Sequence, residues 1–262
     1  NKILRFLVIH PMLSKAQISL IASLQHKKFR NQQQMFVVEG IKSVLEFIHS
    51  NYKIQKIYAT ADALAKLGKI PQNIKLEELN ETELGKISQL KNPQGALALV
   101  QLPTGAELDA KALEDKHTIV LDDVQDPGNL GTIIRTAEWF GIEHIICSIG
   151  TVDCYNPKVV QATMGSLSRV KIYYLDIEEF LQGSPLPVFG ALLDGKSIYE
   201  TNFSDAGLIL MGNEGNGIRK TLLDRIDQAV TIPRIGKAES LNVAIATTLF
   251  CSEVARQGLL KR

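Results

Sequence analysis

The spacing of apolar and polar residues in the first hundred positions alternates between helical and strand patterns. Residues 14–25 carry apolar side chains at helical spacing, with Ser14 as a candidate N-cap. A polar, basic stretch, HKKFRNQQQ, follows. Beyond it the pattern predicts strands at MFVVEG, KIQKIYAT, IKLEEL and GALALVQL, and helices at IKSVLEFIHS, ADALAKLG and ETELGKISQL. This alternation predicts a small α/β domain over residues 12–105.

A second alternating series begins after a polar segment with Pro and Gly nearby, which we interpret as a linker at residues 106–117. Strands are predicted at HTIVLDD, EHIICSI, KIYYLD, PVFGALLDG, GLILM and AVTIP. Helices are predicted at GNLGTIIRTAEWFG, KVVQATMGSLSRV, IEEFLQG, IRKTLLDRI and ESLNVAIATTLFCSEVARQG. The pattern predicts a second α/β domain at 118–262. We take Met12 as the natural start, so that residues 1–11 are a non-native or frayed leader.

Composition argues against a membrane protein, a disulfide-rich protein and a metal-binding protein. The 262 residues are 45% apolar and 22% charged, which is ordinary for a globular protein. No apolar run approaches the roughly 18 residues of a membrane span. The three cysteines form no CxxC pair and the five histidines are scattered. A disulfide framework and a metal site are therefore both disfavoured.

Charge is distributed unevenly along the chain. Residues 1–105 carry 14 Lys and Arg against 7 Asp and Glu, whereas residues 106–262 carry 15 against 21. A basic first half suggests a polyanionic partner, although two domains can differ in charge by chance. Within that half, Lys27, Lys28 and Arg30 flank Phe29, which combines cations with one stacking ring. We predict that these four residues bind RNA; the alternative is a solvated helix end.

The first unusual loop is DDVQDPGNLGTIIRTAEWFG. On a helical wheel, an apolar arc is formed by Leu130, Ile133, Ile134, Ala137 and Phe140, and Arg135 lies about 100 degrees beyond its edge. We therefore expect Arg135 to face a cleft or a partner. Asn129 follows Pro-Gly and is the predicted cap of the helix. A capped surface helix with a solvated arginine would give the same pattern.

The second loop is LILMGNEGNGIRK. Its glycine spacing is neither that of a GxGxxG dinucleotide fingerprint nor that of a Walker A loop, so a nucleotide-binding α/β protein is disfavoured. What remains is a loop whose backbone can approach a ligand closely, with Glu214 at its centre. The alternative is a plain Gly-rich turn with an exposed glutamate.

The third loop, IPRIGKAESLNVA, leads from a strand into the most apolar helix of the chain. Ser240 is the predicted cap of that helix. Capping by Ser240 does not explain Asn242, whose neighbours on both sides are apolar. A buried amide is costly unless it is hydrogen-bonded, which suggests that Asn242 has a role in a site.

Taken in order, Asn-x5-Arg, Gly-x-Glu-x-x-Gly and Ile-Pro-x-x-Gly-x-x-x-Ser-Leu-Asn-Val-Ala resemble the three motifs of the SpoU (TrmH-like) RNA ribose methyltransferases of the SPOUT class. The resemblance covers about residues 118–258, and Arg234 stands where the family often has Met. The N-terminal half, with KKFR followed by FVVEG, is similar to the family's substrate-binding domain. The resemblance implies a small, ribosomal-protein-like α/β RNA-binding domain and a C-terminal α/β domain with a deep trefoil knot.

The resemblance also implies an activity, which is methyl transfer from S-adenosylmethionine to a ribose 2′-hydroxyl, with ribosomal RNA as the foremost substrate. It implies a homodimer that forms through the C-terminal domain, a cytoplasmic location, and no membrane or metal. The implied catalytic residues are Arg135, Asn129, Glu214, Ser240 and Asn242. The implied cofactor-binding residues are Leu192, Gly212, Asn213, Gly217, Ile232 and Leu241.

Several alternatives stay open at the level of sequence. The substrate could be a tRNA ribose, or an RNA base at N1 of guanine or N3 of pseudouridine. A catalytically silent RNA-binding assembly factor could keep the same fold, and the role could be housekeeping or antibiotic resistance. The proton acceptor is also open. Because arginine stays protonated in proteins, we interpret Arg135 as a clamp on a phosphate and on the developing alkoxide rather than as a general base.

Overall fold

The structure, a computed structural model, describes residues 13–104 and 108–260. The chain divides into two compact units, with the boundary between Leu102 and Pro103. We call them the N-terminal unit and the C-terminal unit. The predicted leader at residues 1–11 lies outside the described residues.

The N-terminal unit is built around a four-stranded sheet in the order β1-β4-β2-β3. Strand β4 is antiparallel to both β1 and β2, and β2 is parallel to β3. The elements are α1 (Lys15–Ser23), α2 (Lys27–Gln33), β1 (Met35–Glu39), α3 (Ile41–Ile48), β2 (Ile54–Ala59), α4 (Ala61–Leu67), β3 (Lys75–Glu78), α5 (Glu81–Ile87) and β4 (Ala96–Gln101). The predicted α/β alternation is confirmed.

The basic stretch after α1 is folded into helix α2, which the apolar pattern did not predict. Arg30, expected to contact RNA, is buried in this helix. Its Nη1 donates to the carbonyl oxygens of Leu24 and Gln25, both at 2.9 Å. These carbonyls lie just after α1, where a helix leaves its last acceptors without partners. The assignment of Arg30 to RNA binding is therefore corrected, because its side chain joins α2 to the end of α1.

The C-terminal unit contains a six-stranded, fully parallel sheet in the order β10-β8-β9-β5-β6-β7. Its strands are β5 (His117–Leu121), β6 (His144–Ser148), β7 (Lys171–Leu175), β8 (Val188–Ser197), β9 (Gly207–Met211) and β10 (Gln228–Thr231). Its α-helices are α6 (Pro127–Trp139), α7 (Pro157–Thr163), α8 (Ile177–Gly183), α9 (Lys220–Leu223) and α10 (Val243–Leu260). Short 3-10 helices lie at Ala110–Leu113 and Ser166–Ser168.

Helix α6 packs against both α7 and α10. At Gly131 in α6 an added Cβ would lie 2.4 Å from the Cβ of Ala162, so this glycine permits the close approach of α7. The hydroxyls of Thr136 and Thr248 lie 3.3 Å apart and link α6 to α10. The outer face of α6 thus stays exposed, whereas its inner face packs against the unit.

The segment predicted as a linker, residues 106–117, does not behave as one where it is described. Leu113 is buried and belongs to a hydrophobic cluster with Val120 and Leu210. A leucine that packs on the sheet makes its segment part of the C-terminal unit.

The trefoil knot in the C-terminal unit stays a prediction of the resemblance.

Residues 13–104 and 108–260 contain neither a membrane-spanning helix nor a cluster of metal ligands. No helix there is long and apolar enough to cross a membrane. No group of three or more His, Cys, Asp or Glu side chains there could bind a metal ion.

Candidate active site

Three loops meet at the carboxyl edge of the parallel sheet. The strand order reverses between β5 and β9, because β6 and β7 follow on one side of β5 while β9, β8 and β10 lie on the other. Ligands of open α/β sheets bind at such a switch point. We call the segments that follow β5, β9 and β10 the β5 loop (122–126), the β9 loop (212–219) and the β10 loop (232–242).

The β9 loop is closed by reciprocal backbone hydrogen bonds between Asn213 and Gly217, at 2.9 and 3.0 Å. The Oδ1 of Asn213 accepts from the backbone N–H groups of Gly215 and Asn216, and its Nδ2 donates to the carbonyl of Asp123. At Gly212 an added Cβ would lie 2.2 Å from the carbonyl carbon of Gly217. The loop is therefore tightly closed, and only glycine fits where it begins.

Glu214 lies at the tip of this loop and bridges to the β5 loop. Its carboxylate accepts from the Nδ2 of Asn129 at 3.0 Å and from the backbone N–H groups of Asp126 and Gln125 at 3.2 and 3.4 Å. Burial raises the pKa of Glu214, but these donors outweigh it and bring the pKa below its ordinary value. Glu214 is thus an anion with a fixed orientation at neutral pH.

A chain of amides extends this contact to the β10 loop. The Nδ2 of Asn242 donates to the Oδ1 of Asn129 at 2.9 Å, and Asn129 in turn donates to Glu214. The Oδ1 of Asn242 accepts from the backbone N–H groups of Ala244 and Ile245. Because each amide oxygen already accepts a hydrogen bond, the orientation of both side chains is determined. Residues from all three loops therefore form one network.

Two predicted helix caps are wrong. Asp126, not Asn129, caps α6: its carboxylate accepts from the backbone N–H of Asn129 at 2.8 Å. Pro127 occupies the first helical position, which favours the residue before it as the cap. Asn242, not Ser240, caps α10, because α10 begins at Val243 rather than before Ser240. Ser240 is exposed and makes no hydrogen bond to any residue that the structure describes.

Arg135 lies on the outer face of α6, exposed, in agreement with its place on the helical wheel. Within the described part of the chain its guanidinium makes no hydrogen bond or ion pair, and Asn129 and Glu214 bond to each other rather than to it. One turn further along, the side chain of Trp139 is 81% exposed. Arg135 is therefore free to meet a ligand.

The predicted cofactor residues lie on the β9 and β10 loops and on strand β8. Gly212, Asn213 and Gly217 belong to the β9 loop; Ile232 is half-buried and Leu241 is half-exposed in the β10 loop. All residues of the β10 loop from Pro233 to Asn242 are exposed. The Nη1 of Arg234 donates to the carbonyl of Ala238 at 3.2 Å.

Leu192 lies inside strand β8 rather than at its end. Strand β8 continues to Ser197, and its pairing with β10 shifts register after Gly190 and resumes at Lys196. Leu192 lies in the intervening stretch, half-buried against the core. The register shift arises where the backbone of Gly195 approaches Ala229 too closely for a side chain. The carbonyl of Leu193, which follows Leu192, accepts from the hydroxyl of Thr231 at 2.8 Å, which brings this part of β8 close to the end of β10.

Sequence reasoning missed two residues at this edge. Asp122 is fully buried at the end of β5, and its carboxylate pairs with Arg219 at the end of the β9 loop. Two adjacent acids after a buried strand, in the sequence IVLDD, were the available signal. The second missed residue is Asp126, the cap of α6. Its signal was the sequence Asp-Pro, which is typical of the start of a helix.

In the N-terminal unit, three of the predicted RNA-binding residues lie at the surface. Lys27 and Lys28 are exposed on α2. The ring of Phe29 is 38% exposed and contacts His26 edge to face, with centroids 6.3 Å apart. A ring exposed beside two lysines remains available for stacking.

Each of the two units matches a different family model. The family model described as SpoU rRNA Methylase family matches residues 116–252. A second, described as MRM3-like substrate binding domain, matches residues 15–98. The two ranges fall in the C-terminal and N-terminal units respectively.

Three individual proteins are similar over most of their length. The 23S rRNA (guanosine(2553)-2′-O)-methyltransferase RlmP of Bacillus subtilis is 30% identical over 230 residues, or 86% of this chain and 90% of that protein. A TrmH-family structure from Porphyromonas gingivalis is 41% identical with a TM-score of 0.84, covering 94% and 99% of the two chains. An AdoMet-bound rRNA methyltransferase from Sinorhizobium meliloti is 28% identical with a TM-score of 0.79, covering 93% and 95%. The chain belongs to the SpoU rRNA methylase family.

Proposed function

We propose that this protein transfers a methyl group from S-adenosylmethionine to a ribose 2′-hydroxyl of ribosomal RNA. The observation that carries the proposal is the bonded chain from Asn242 through Asn129 to Glu214 at the switch point of the sheet. Its residues are those that the family motifs share, and relatives across most of the chain are named rRNA 2′-O-methyltransferases. A catalytically silent relative would have no need to keep such a network.

The residues present fit S-adenosylmethionine. An added Cβ at Gly236 in the β10 loop would meet nothing within 4 Å, so a ligand can approach the backbone closely there, whereas Gly212 keeps the β9 loop closed beside it. Leu192, Ile232 and Leu241 are apolar and partly exposed. We propose that the backbone of Gly212, Ile232 and Leu241 binds the cofactor, with Asn213 and Gly217 shaping the loop. When bound, the cofactor supplies a methyl group that is already activated by its sulfonium charge.

The residues of the chain then align the acceptor and stabilise charge. Glu214, Asn129 and Asn242 would orient the ribose, with Ser240 exposed beside them to contact RNA. Arg135 would bind a phosphate and stabilise the alkoxide as the 2′-hydroxyl loses its proton. Its free guanidinium on the outer face of α6 supports this role, because the fold gives it no other partner among the described residues.

We also propose that two copies associate through α6 and α10, in the knotted C-terminal domain that the family resemblance implies. Trp139 on α6 and Ile245 and Leu259 on α10 are large apolar side chains that are 81%, 52% and 68% exposed. Large apolar side chains exposed on two helices that pack together indicate an interaction surface. Arg135 lies on the same outer face of α6 as Trp139, so a dimer would place it at the edge of the interface.

The N-terminal unit would recruit the RNA through Lys27, Lys28 and Phe29. Neutralised phosphates make such binding depend steeply on salt. Removal of residues 12–105 should therefore weaken RNA binding strongly while the C-terminal unit still binds cofactor. A ribosomal RNA substrate would place the protein in the cytoplasm.

The test is transfer of tritium from labelled S-adenosylmethionine to in vitro transcripts of 23S rRNA and of tRNA, with 2′-O-methyl nucleotides mapped afterwards. Label in 2′-O-methylribose of the 23S transcript supports the proposal. Label in a methylated base, label in tRNA alone, or no label with folded protein would each overturn it. Arg135→Ala serves as the matched inactive control.

A further inference from the structure

A buried ion pair joins the start of the β5 loop to the end of the β9 loop. Asp122 is fully buried, and its Oδ2 accepts from the backbone N–H of Arg219 at 2.8 Å. Its Oδ1 accepts from the Nε of the same arginine at 2.6 Å. A buried carboxylate needs such partners, since an unpaired charge would be strongly destabilising.

Asp122 binds only part of the guanidinium group of Arg219. Only its Nε bonds to Asp122, and the side chain is 46% exposed. Its two terminal nitrogens make no hydrogen bond to a residue within 13–104 or 108–260. An arginine whose Nε is already anchored loses little further side-chain freedom when its terminal nitrogens bind a phosphate.

Arg219 is held in a fixed relation to Glu214. Glu214 lies within the closed Asn213–Gly217 hairpin, and Gly212 packs directly on the backbone that leads from this hairpin to Arg219. The exposed Lys220 adds a second positive charge at the next position. Residues 106–262 carry 21 acidic side chains against 15 basic ones. Arg219 and Lys220 are therefore two adjacent cations in an acidic part of the chain, at the edge of the sheet where the Glu214 network lies.

We propose that Arg219 is a positioning residue that binds a phosphate of the RNA backbone beside the ribose to be methylated. The inference rests on the proposed function, because it assigns the substrate's phosphate to a second arginine besides Arg135. Asp122 fixes the Nε, and the terminal nitrogens face the polyanion as a fork. Arg219 thereby sets the register of the RNA against Glu214.

The experiment measures RNA affinity against salt for three full-length proteins: the wild type, Arg219→Gln and Arg225→Gln. Arg225 is the matched control, because its Nη2 bonds to Gln182 and because it lies between α9 and the start of β10, at the edge of the sheet opposite to the three loops. The probe is a 23S rRNA transcript. We expect Arg219→Gln to reduce the slope of log affinity against log salt by about 0.7 to 0.9, the value of one phosphate contact. Affinity should fall roughly five- to tenfold near physiological salt, while Arg225→Gln should match the wild type.

A second variant separates binding from folding. Arg219→Gln leaves Asp122 buried without its cation, so Asp122→Asn with Arg219→Gln removes both charges together. This double variant should regain stability in urea unfolding and still show the reduced salt slope and a raised KM for RNA. S-adenosylhomocysteine affinity, measured by calorimetry, should stay within about twofold of the wild type.

The outcomes distinguish this inference from the proposed function. If the wild type binds and methylates the transcript, and both Arg219 variants have the salt slope of Arg225→Gln, Arg219 is only a structural partner of Asp122 and the inference fails alone. If the wild type neither binds nor methylates RNA, the inference and the proposed function fail together.

Discussion

The β9 and β10 loops contribute to one candidate site but differ in how far the fold organises them. In the β9 loop, Asn213, Glu214 and Arg219 each bond to the β5 loop or within their own loop. In the β10 loop every residue from Pro233 to Asn242 is exposed, and Ile235 is fully so. Its side-chain bonds within the described ranges are those of Arg234 and Asn242.

The difference indicates which groups form the framework and which meet a ligand. A polar group that the fold already bonds has its orientation fixed before cofactor or RNA arrives. A group that the fold leaves unbonded in the same site can gain its partner from the ligand. Substitutions in the β9 loop should therefore reduce stability, whereas substitutions of unbonded groups such as Arg135 should reduce activity alone.

The largest expected effect is at Gly212. Gly212→Ala would place a methyl group 2.2 Å from the carbonyl carbon of Gly217, so the hairpin must open. We expect a loss of about 3 kcal/mol in the free energy of unfolding, at the upper end of overpacking effects. Gly236→Ala in the β10 loop meets nothing and should stay within about 0.5 kcal/mol. Urea unfolding of both variants checks the contrast, and equal losses would contradict it.

Arg135 should show the opposite behaviour. Because it is exposed and unbonded in the described structure, Arg135→Ala should change stability by no more than about 0.5 kcal/mol while abolishing methyl transfer. Arg135→Lys keeps the charge but loses the fork, and should remain roughly a hundredfold slower, equivalent to about 2.7 kcal/mol.

Single-turnover rates of Arg135→Lys, with RNA and cofactor saturating, measure this directly. A rate near that of the wild type at neutral pH would exclude the clamp. A rate that recovers as pH rises towards about 10, where lysine deprotonates, would instead indicate a general base at this position.

A smaller effect is expected at the start of α10. Asn242→Ala removes the cap of the helix and the donor to Asn129, and should cost about 1 to 2 kcal/mol of stability. Ser240→Ala, two residues earlier, removes a hydroxyl without a described partner and should cost less than about 0.5 kcal/mol. Thermal unfolding of the pair decides between the two caps, and a larger loss for Ser240→Ala would reverse the assignment.

The smallest effect concerns Glu214 and pH. Its pKa lies below the ordinary value, so its ionised form adds stability above about pH 5, which is lost as pH falls through the lowered pKa. Since solvent screens an exposed carboxylate, Glu214→Gln should cost less than about 1 kcal/mol at pH 7. The difference in the free energy of unfolding between Glu214→Gln and the wild type should become smaller as the pH falls. Glu239→Gln in the β10 loop is the control; a constant difference for Glu214→Gln from pH 7 to 3 would contradict the account.

Most elements of the fold could be predicted because strands and helices repeat apolar residues with different periods. Helix α2 could not, since HKKFRNQQQ has no apolar stripe and depends on the buried Arg30. The register shift in β8 depends on the approach of Gly195 to Ala229, which no local pattern reveals.

The candidate site was predictable only through the resemblance. Asn129 and Glu214 are 85 positions apart, and Asn129 and Asn242 are 113 apart, so spacing alone cannot bring them together. The caps were misassigned because Asp126 and Asn129, like Ser240 and Asn242, are all good capping residues. The start of each helix decides between them: α6 begins at Pro127, directly after Asp126, and α10 begins at Val243, where the amide of Asn242 accepts from the backbone N–H groups of Ala244 and Ile245.

Hydrogen–deuterium exchange of the full-length protein, with and without S-adenosylhomocysteine, compares the two loops most directly. The backbone N–H groups of Gly215, Asn216 and Gly217 are already hydrogen-bonded, so the β9 loop should be protected without ligand and change little on binding. The β10 loop should exchange quickly alone and gain protection over residues 233–241 when the cofactor product binds. Fast exchange of the β9 loop without ligand, or no change in the β10 loop at saturation, would contradict the account.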